Sequence, residues 1–157
     1  MIMENLLNQT DYQIAEVELI YKSKVKASER PCIKTSKDAA SLLQRHWDES
    51  KIDFIEQFKV IFLNRANKVL GIFEASSGGV SGTFVDPKLV FVAALKANAC
   101  GIIISHNHPS GNLKPSTADE QLTAKLKMAG TYLDIKLLDH IIVTSEGFFS
   151  FADEGLL

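Results

Sequence analysis

Two histidines one residue apart, His106 and His108, and a carboxylate further along, Asp119, are the side chains best suited to chemistry in this sequence. They sit in the run Ile103-Ile104-Ser105-His106-Asn107-His108-Pro109-Ser110-Gly111, followed by Pro115-Ser116-Thr117-Ala118-Asp119. Side chains at i and i+2 on extended chain point to one side, so both imidazoles can converge on one point. Asp119 closes on that point once the Pro/Gly-rich loop folds back. Two imidazoles and a carboxylate that leave one position open form the ligand set of a catalytic zinc. The expected cofactor is therefore one Zn2+ per chain. The plainer reading is that the histidines end a strand and that Ser116-x-x-Asp119 only caps a helix. A rigid Pro-Ser-Gly turn between an apolar strand and that cap favours the metal.

A hydrolytic zinc site also needs a carboxylate that reaches water without binding the metal. Asp53, Glu56 and Glu74 precede the motif. Glu74 is the expected base, because it follows Leu70-Gly71-Ile72-Phe73 and abuts the glycine-rich Ser76–Gly82 segment, where it would face a cleft. An exposed charge at a strand end is the competing reading. Asn107, pointing away from the two histidines, is expected to secure a loop. His140, beside Asp139, is either a support behind a ligand or a hydrogen-bonded core histidine.

Positioning these groups falls to an alternation of strands and helices. Tyr12 to Val25 alternates as a strand, with Lys22, Lys24, Lys26 and Arg30 around its end as a solvated edge rather than a phosphate site. Thr35 to Asp38 reads as a capping box opening a helix to about Glu49, and His46 in it as a surface or packing residue. Ile55–Leu63 and Lys68–Ala75 form a hairpin across Asn64–Asn67. Asp86-Pro87 starts a helix to about Asn98, with Asp at N-cap and Pro at N1. Cys100–Ser105 is the buried strand ending in the histidines. A helix from Ser116 or Thr117 to Gly130 follows, with Gly130 as its cap. Asp134–Thr144 is one bent strand or a pair, and Phe148–Phe151 a last short strand. The order β-α-β-β-α-β-α-β-β predicts an α/β fold, a mixed sheet with helices packed on it, as a single domain over 1–157 with 1–10 loosely attached.

Bulk properties narrow the function class. The 157 residues carry a net charge of −2, with 46% hydrophobic and 23% charged residues. That is an ordinary globular composition without the basic field of a nucleic-acid binder. No apolar run is long enough to span a membrane, and no secretory leader begins the chain. Cys32 and Cys100 have no metal or redox spacing and read as free thiols, so the expected location is cytoplasmic. Zinc deaminases need His-x-Glu and a Cys-x-x-Cys, and the other common zinc hydrolase helix needs His-Glu-x-x-His. This sequence has neither.

His106-x-His108, Ser116 and Asp119 resemble the metal motif of JAMM (MPN-type, JAB-domain) metalloproteases, and the wording is most similar to the RadC family. Ile103 to Asn112, Pro115-Ser116-x-x-Asp119, Leu137-Leu138-Asp139-His140, Asn98-Ala99 and Gly155-Leu156-Leu157 all read like that family, over about Phe54 to Leu157. The resemblance implies an MPN-type mixed sheet flanked by helices, zinc on His106, His108 and Asp119, and Ser116 as donor to the oxyanion of a tetrahedral intermediate. It also implies a strand glutamate as base and a peptide or protein amide or isopeptide as substrate. In RadC-like sequences that glutamate commonly precedes Gly-Thr or Gly-Ser. Gly78-Gly79 here permits two registers, on Glu74 or on Phe73, and Glu74 is the only acid between Asn64 and Gly82. The helix-hairpin-helix DNA-binding region that often begins such proteins has no counterpart in residues 1–50. The competing function is a non-catalytic metal-binding domain that acts as a partner in DNA repair or mobile-element processes.

Overall fold

A computed structural model describes residues 21, 23–79 and 84–157. Most of the expected strand Tyr12–Val25 lies outside these residues, and the part inside, Tyr21 and Ser23 to Val25, is not in a strand. The described elements are α1 (Ser36–His46), α2 (Glu49–Ile52), β1 (Gln57–Leu63), β2 (Val69–Ser77), α3 (Pro87–Lys96), β3 (Gly101–Asn107), α4 (Thr117–Tyr132), β4 (Lys136–Val143) and β5 (Phe148–Ser150). The five strands form one mixed sheet in the order β2-β1-β3-β4-β5. Only β3 and β4 run parallel, joined through α4. The other neighbours are antiparallel.

Alternation along the central strands divides the core into two layers. Phe58, Val60, Phe62, Ile102 and Ile104 face one side, where Val90, Phe91 and Ala94 of α3 and Leu126 of α4 cover them. Ile61, Leu63, Ile103, Ile141 and Val143 face the other side, under Ala39, Ala40, Leu42 and Leu43 of α1. β1 and β3 are buried along their whole length, as strands covered on both faces must be. The α/β fold expected from the sequence is thus observed as a mixed sheet flanked by helices.

Local chemistry accounts for most element ends. Thr35 and Asp38 make the reciprocal capping box of α1, and Asp86 caps α3 ahead of Pro87. Two boundaries differ from the sequence reading. The helix expected to reach Glu49 stops at His46, because Trp47 turns extended and buries its ring, and Asp48 then caps the separate turn α2. Gly130 does not end α4. The helix runs on to Tyr132, and Asp134 takes the left-handed conformation. Glycine is required at 130 for a different reason: the Ile135 carbonyl packs against its Cα, and a Cβ there would overlap it.

Candidate metal centre and cleft

β3 carries the two histidines out of the sheet on the α3/α4 side. His106 is the last fully enclosed residue on that face, 2% exposed, with its ring stacked on Phe58 of β1 at 6.4 Å. His108 lies just past the strand end and is partly exposed. The loop from Pro109 to Pro115 returns to the N-terminus of α4, where Asp119 occupies the third helical position. The three side chains converge: His106 Nε2 lies 2.9 Å from His108 Nε2 and 3.2 Å from Asp119 Oδ1, and His108 Nε2 lies 3.9 Å from Asp119 Oδ2. One ligand atom from each falls within 4.8 Å of the others, so the cluster could hold a metal ion.

The donor chemistry fits that ion. His108 Nδ1 lies 2.5 Å from the Asn112 carbonyl, a pure acceptor, so the neutral ring carries its proton on Nδ1 and turns a lone pair inward. Asp119 Oδ2 accepts from the Ser116 backbone N–H and hydroxyl, both at 2.7 Å, which leaves Oδ1 aimed at His106. Burial alone would raise the Asp119 pKa. The hydrogen bond and charge of His106, with the Ser116 bonds, outweigh it and hold the carboxyl below the usual carboxylate range, ready as an anionic ligand.

Ser116 serves as expected in one respect. Its oxygen accepts from the Asp119 N–H at 3.2 Å as a helix cap. Its hydroxyl hydrogen, however, goes to Asp119 Oδ2 rather than into the cleft.

Behind this cluster lies an arrangement that the sequence left open. His140 of β4 is fully buried and places Nε2 2.8 Å from His106 Nδ1. Burial, and then the positive charge that His106 can carry, push the His140 pKa well down, so the ring is neutral. Thr123 Oγ1 completes the row, 2.6 Å from His140 Nδ1. Asp139 beside it faces the opposite layer, bound to Ser150 and Ala152. Nothing in the spelling of α4 singles out Thr123, which is one polar residue among many on that helix.

The structure does not bring Glu74 to this site. Phe58 pairs with His106 across β1 and β3, so Lys59 faces the opposite side. There Lys59 Nζ lies over the Trp47 ring at 4.7 Å, and Glu74 Oε2 is 3.6 Å from that ammonium and 2.9 Å from Gln57 Nε2. A register shift between Phe58 and Lys59 opposite β2 fixes this placement, pairing Phe58 with Ser76 and Lys59 with Glu74. Phe73, the other register considered, packs on Phe62 in the core. The acid that shares a cleft with the histidines is Glu56, two residues before Phe58. It lines a cleft of about 710 Å³ with His106, His108, Ser116 and Asp119, with Phe84 and Val85 on its apolar side. Asn107 fixes the segment carrying Glu56. Turned away from the histidines as expected, it accepts from Gln57 N–H at 2.7 Å and donates to the Ile52 and Ile55 carbonyls at 2.6 and 2.8 Å.

A family model described as the RadC-like JAB domain matches residues 33–156, which include every residue named at this site. A UPF0758 protein of Flavobacterium johnsoniae is 48% identical over 124 residues, covering 79% of this chain and 53% of its own length. A UPF0758 protein of Chlorobaculum parvum is 44% identical over 110 residues, covering 70% of this chain and 48% of its own. The UPF0758 protein YfjY of Escherichia coli K12 is 35% identical over 142 residues, covering 79% of this chain and 89% of that protein. The chain thus spans about half the length of the first two relatives.

Proposed function

We propose that this chain, which belongs to the RadC-like JAB domain family, is a zinc-dependent hydrolase of amide or isopeptide bonds in a peptide or protein. One observation carries the reading: two imidazole nitrogens and a carboxylate oxygen converge within 4.8 Å on the wall of an open cleft that also holds a carboxylate. His106 Nε2, His108 Nε2 and Asp119 Oδ1 would hold the ion, and two imidazoles with one carboxylate suit zinc among the common divalent cations. Bound there, zinc supplies Lewis acidity toward a scissile carbonyl and lowers the pKa of water.

The remaining work belongs to the chain's own groups. Glu56, rather than Glu74, takes the proton from the attacking water and passes it to the leaving amine. Ser116 holds Asp119 in its ligand orientation. Rotation about its Cβ–Oγ bond would free its hydrogen for a developing oxyanion while the Ser116 N–H keeps Asp119 Oδ2 in place. Phe84 and Val85 offer an apolar wall for a side chain near the scissile bond. Two unpaired cysteines, Cys32 and Cys100, support a reducing, cytoplasmic setting. Among the described residues no helix is long and apolar enough to cross a membrane.

The test pairs metal analysis with cleavage of a peptide library, comparing the zinc-loaded protein with Glu56→Gln, Glu74→Gln and His108→Ala. The reading requires one zinc per chain, lost in His108→Ala, and cleavage lost in Glu56→Gln but retained in Glu74→Gln. A protein that takes up zinc and cleaves nothing in the library would leave only a metal-binding domain. One that takes up no zinc would end the reading altogether.

A further inference from the structure

A histidine binds a metal through Nε2 only when its proton sits on Nδ1, and at His106 that choice is made from behind. His106 Nδ1, His140 Nε2, His140 Nδ1, Thr123 Oγ1 and the Asp119 carbonyl form one continuous row, with contacts of 2.8, 2.6 and 2.6 Å between successive groups. Two orders of protons would satisfy the two imidazoles. In one, each donor points toward Thr123: His106 Nδ1–H to His140, His140 Nδ1–H to Thr123, and the Thr123 hydroxyl to the Asp119 carbonyl. In the other, the hydroxyl points at His140 and every proton reverses, which puts a hydrogen on His106 Nε2 and blocks the metal.

The far end of the row decides between them. Thr123 Oγ1 lies 2.6 Å from the carbonyl oxygen of Asp119, one helical turn earlier. Two oxygens approach that closely only with a hydrogen between them, and a carbonyl has none to give. The hydroxyl hydrogen is therefore committed to Asp119, Thr123 Oγ1 must accept from His140 Nδ1–H, and His140 Nε2 must accept from His106 Nδ1–H. Neither ring can evade the assignment by turning over. His140 is fully buried and stacks on Phe151 at 4.5 Å between centroids, and His106 stacks on Phe58.

We infer that Thr123 and His140 are positioning residues that set the tautomer of His106, directing its Nε2 lone pair into the metal cluster. The inference rests on the metal reading above, yet the hydrogen on His106 Nδ1 that reserves Nε2 for the metal can be tested in the metal-free protein. Neither residue touches the ligand atoms or the cleft. Thr123 acts through His140, and His140 through His106. The same helical turn supplies both the carboxylate ligand, Asp119, and the carbonyl that orders the row, so α4 sets two of the three ligands at once.

The experiment uses the whole chain, metal-free and labelled with 15N-histidine, in long-range 1H–15N correlation spectra at pH 8, with zinc affinity measured by chelator competition. In the wild type, His106 and His140 should both show a protonated Nδ1, with His140 Nε2 unprotonated. The hydrogen that His106 Nε2 shares with His108 Nε2 and Asp119 Oδ1 in the metal-free cluster should leave when zinc binds. An unprotonated Nδ1 on His106, or a protonated Nε2 on His140, overturns the inference without any variant. Thr123→Val keeps the shape and removes the acceptor. It should shift the two histidines toward the reversed tautomers and weaken zinc about 10- to 100-fold, the usual cost of losing such outer support. Thr123→Ser should restore both to within about three-fold, on the premise that only the hydroxyl matters. Unchanged tautomers and affinity in a folded Thr123→Val protein overturn the inference. A wild type with the expected tautomers that takes up no zinc would leave the row standing and defeat the metal reading instead.

Discussion

Replacing Asn107 by leucine is the sharpest available test of how the cleft is built. Asn107 has the branched heavy-atom outline of leucine, is fully buried at the end of β3, and uses both ends of its amide. Leucine would leave three buried backbone groups without this partner: Gln57 N–H and the carbonyls of Ile52 and Ile55. Each orphaned group costs about 1–3 kcal/mol. Because the three share one short segment, relaxation of that segment will recover part of the sum, and a net loss of about 3–6 kcal/mol is expected. Against a total of about 5–15 kcal/mol for a domain, that is a large fraction. Urea unfolding of the metal-free protein measures it directly. The loss should arise from a segment that holds Glu56, not from the metal ligands, so a folded Asn107→Leu protein should still take up one zinc while cleavage falls. A destabilisation below about 1 kcal/mol would mean that water satisfies these groups and that Asn107 does not hold the segment. Loss of zinc uptake in a folded variant would equally refute the division of labour between the two faces of β3.

Four further outcomes follow from the same geometry. Glu56→Gln should lower kcat by about 10²- to 10⁴-fold, as expected for loss of a general base, while Glu74→Gln stays within about three-fold, because its carboxylate faces Lys59 on the other side of the sheet. Zinc at a hundred times its dissociation constant should add about 2.7 kcal/mol to folding and raise Tm by about 5–10 °C, and His108→Ala should abolish that shift. Metal-free protein should lose stability as pH falls below the ordinary histidine value. The pKa of His140 is depressed in the fold, so below about 6.5 the unfolded chain takes up a proton that the native state refuses, at about 1.4 kcal/mol per pH unit. That contribution is absent above 6.5, and urea titrations from pH 8 to 5 should show a flatter profile for His140→Gln. Gly130→Ala should cost about 1–3 kcal/mol by forcing the Ile135 carbonyl away from α4, and calorimetry showing no loss would remove the close approach as the reason for glycine there.

The parts of the site legible in the sequence are those determined by local rules. His106 and His108 share a face because extended chain has a period of two, and Asp119 reaches them because Ser116 and Asp119 form a capping box that fixes the first turn of α4. Asn107 follows from the same period, since the residue between two inward histidines must point out. The placement of Glu74 away from the histidines has an equally physical origin. Strand-end position and a neighbouring flexible segment favoured Glu74, but which face a strand residue occupies depends on pairing with its neighbour. A one-residue shift reverses that face. The register of β2 against β1 slips between Phe58 and Lys59, and no local signal in either strand announces it. Glu56, by contrast, sits just ahead of β1 on the side set by Phe58, whose partner is His106. Its role depends on the pairing of β1 with β3, two strands separated in sequence by β2 and α3. Thr123 and His140 illustrate the same limit more strongly, for their partnership requires α4 to lie across β4 at one azimuth. A carboxylate can therefore be proposed from sequence by its surroundings along the chain, but its face of the sheet is a tertiary property. That is why the convergence of His106, His108 and Asp119 could be read and the face taken by Glu74 could not.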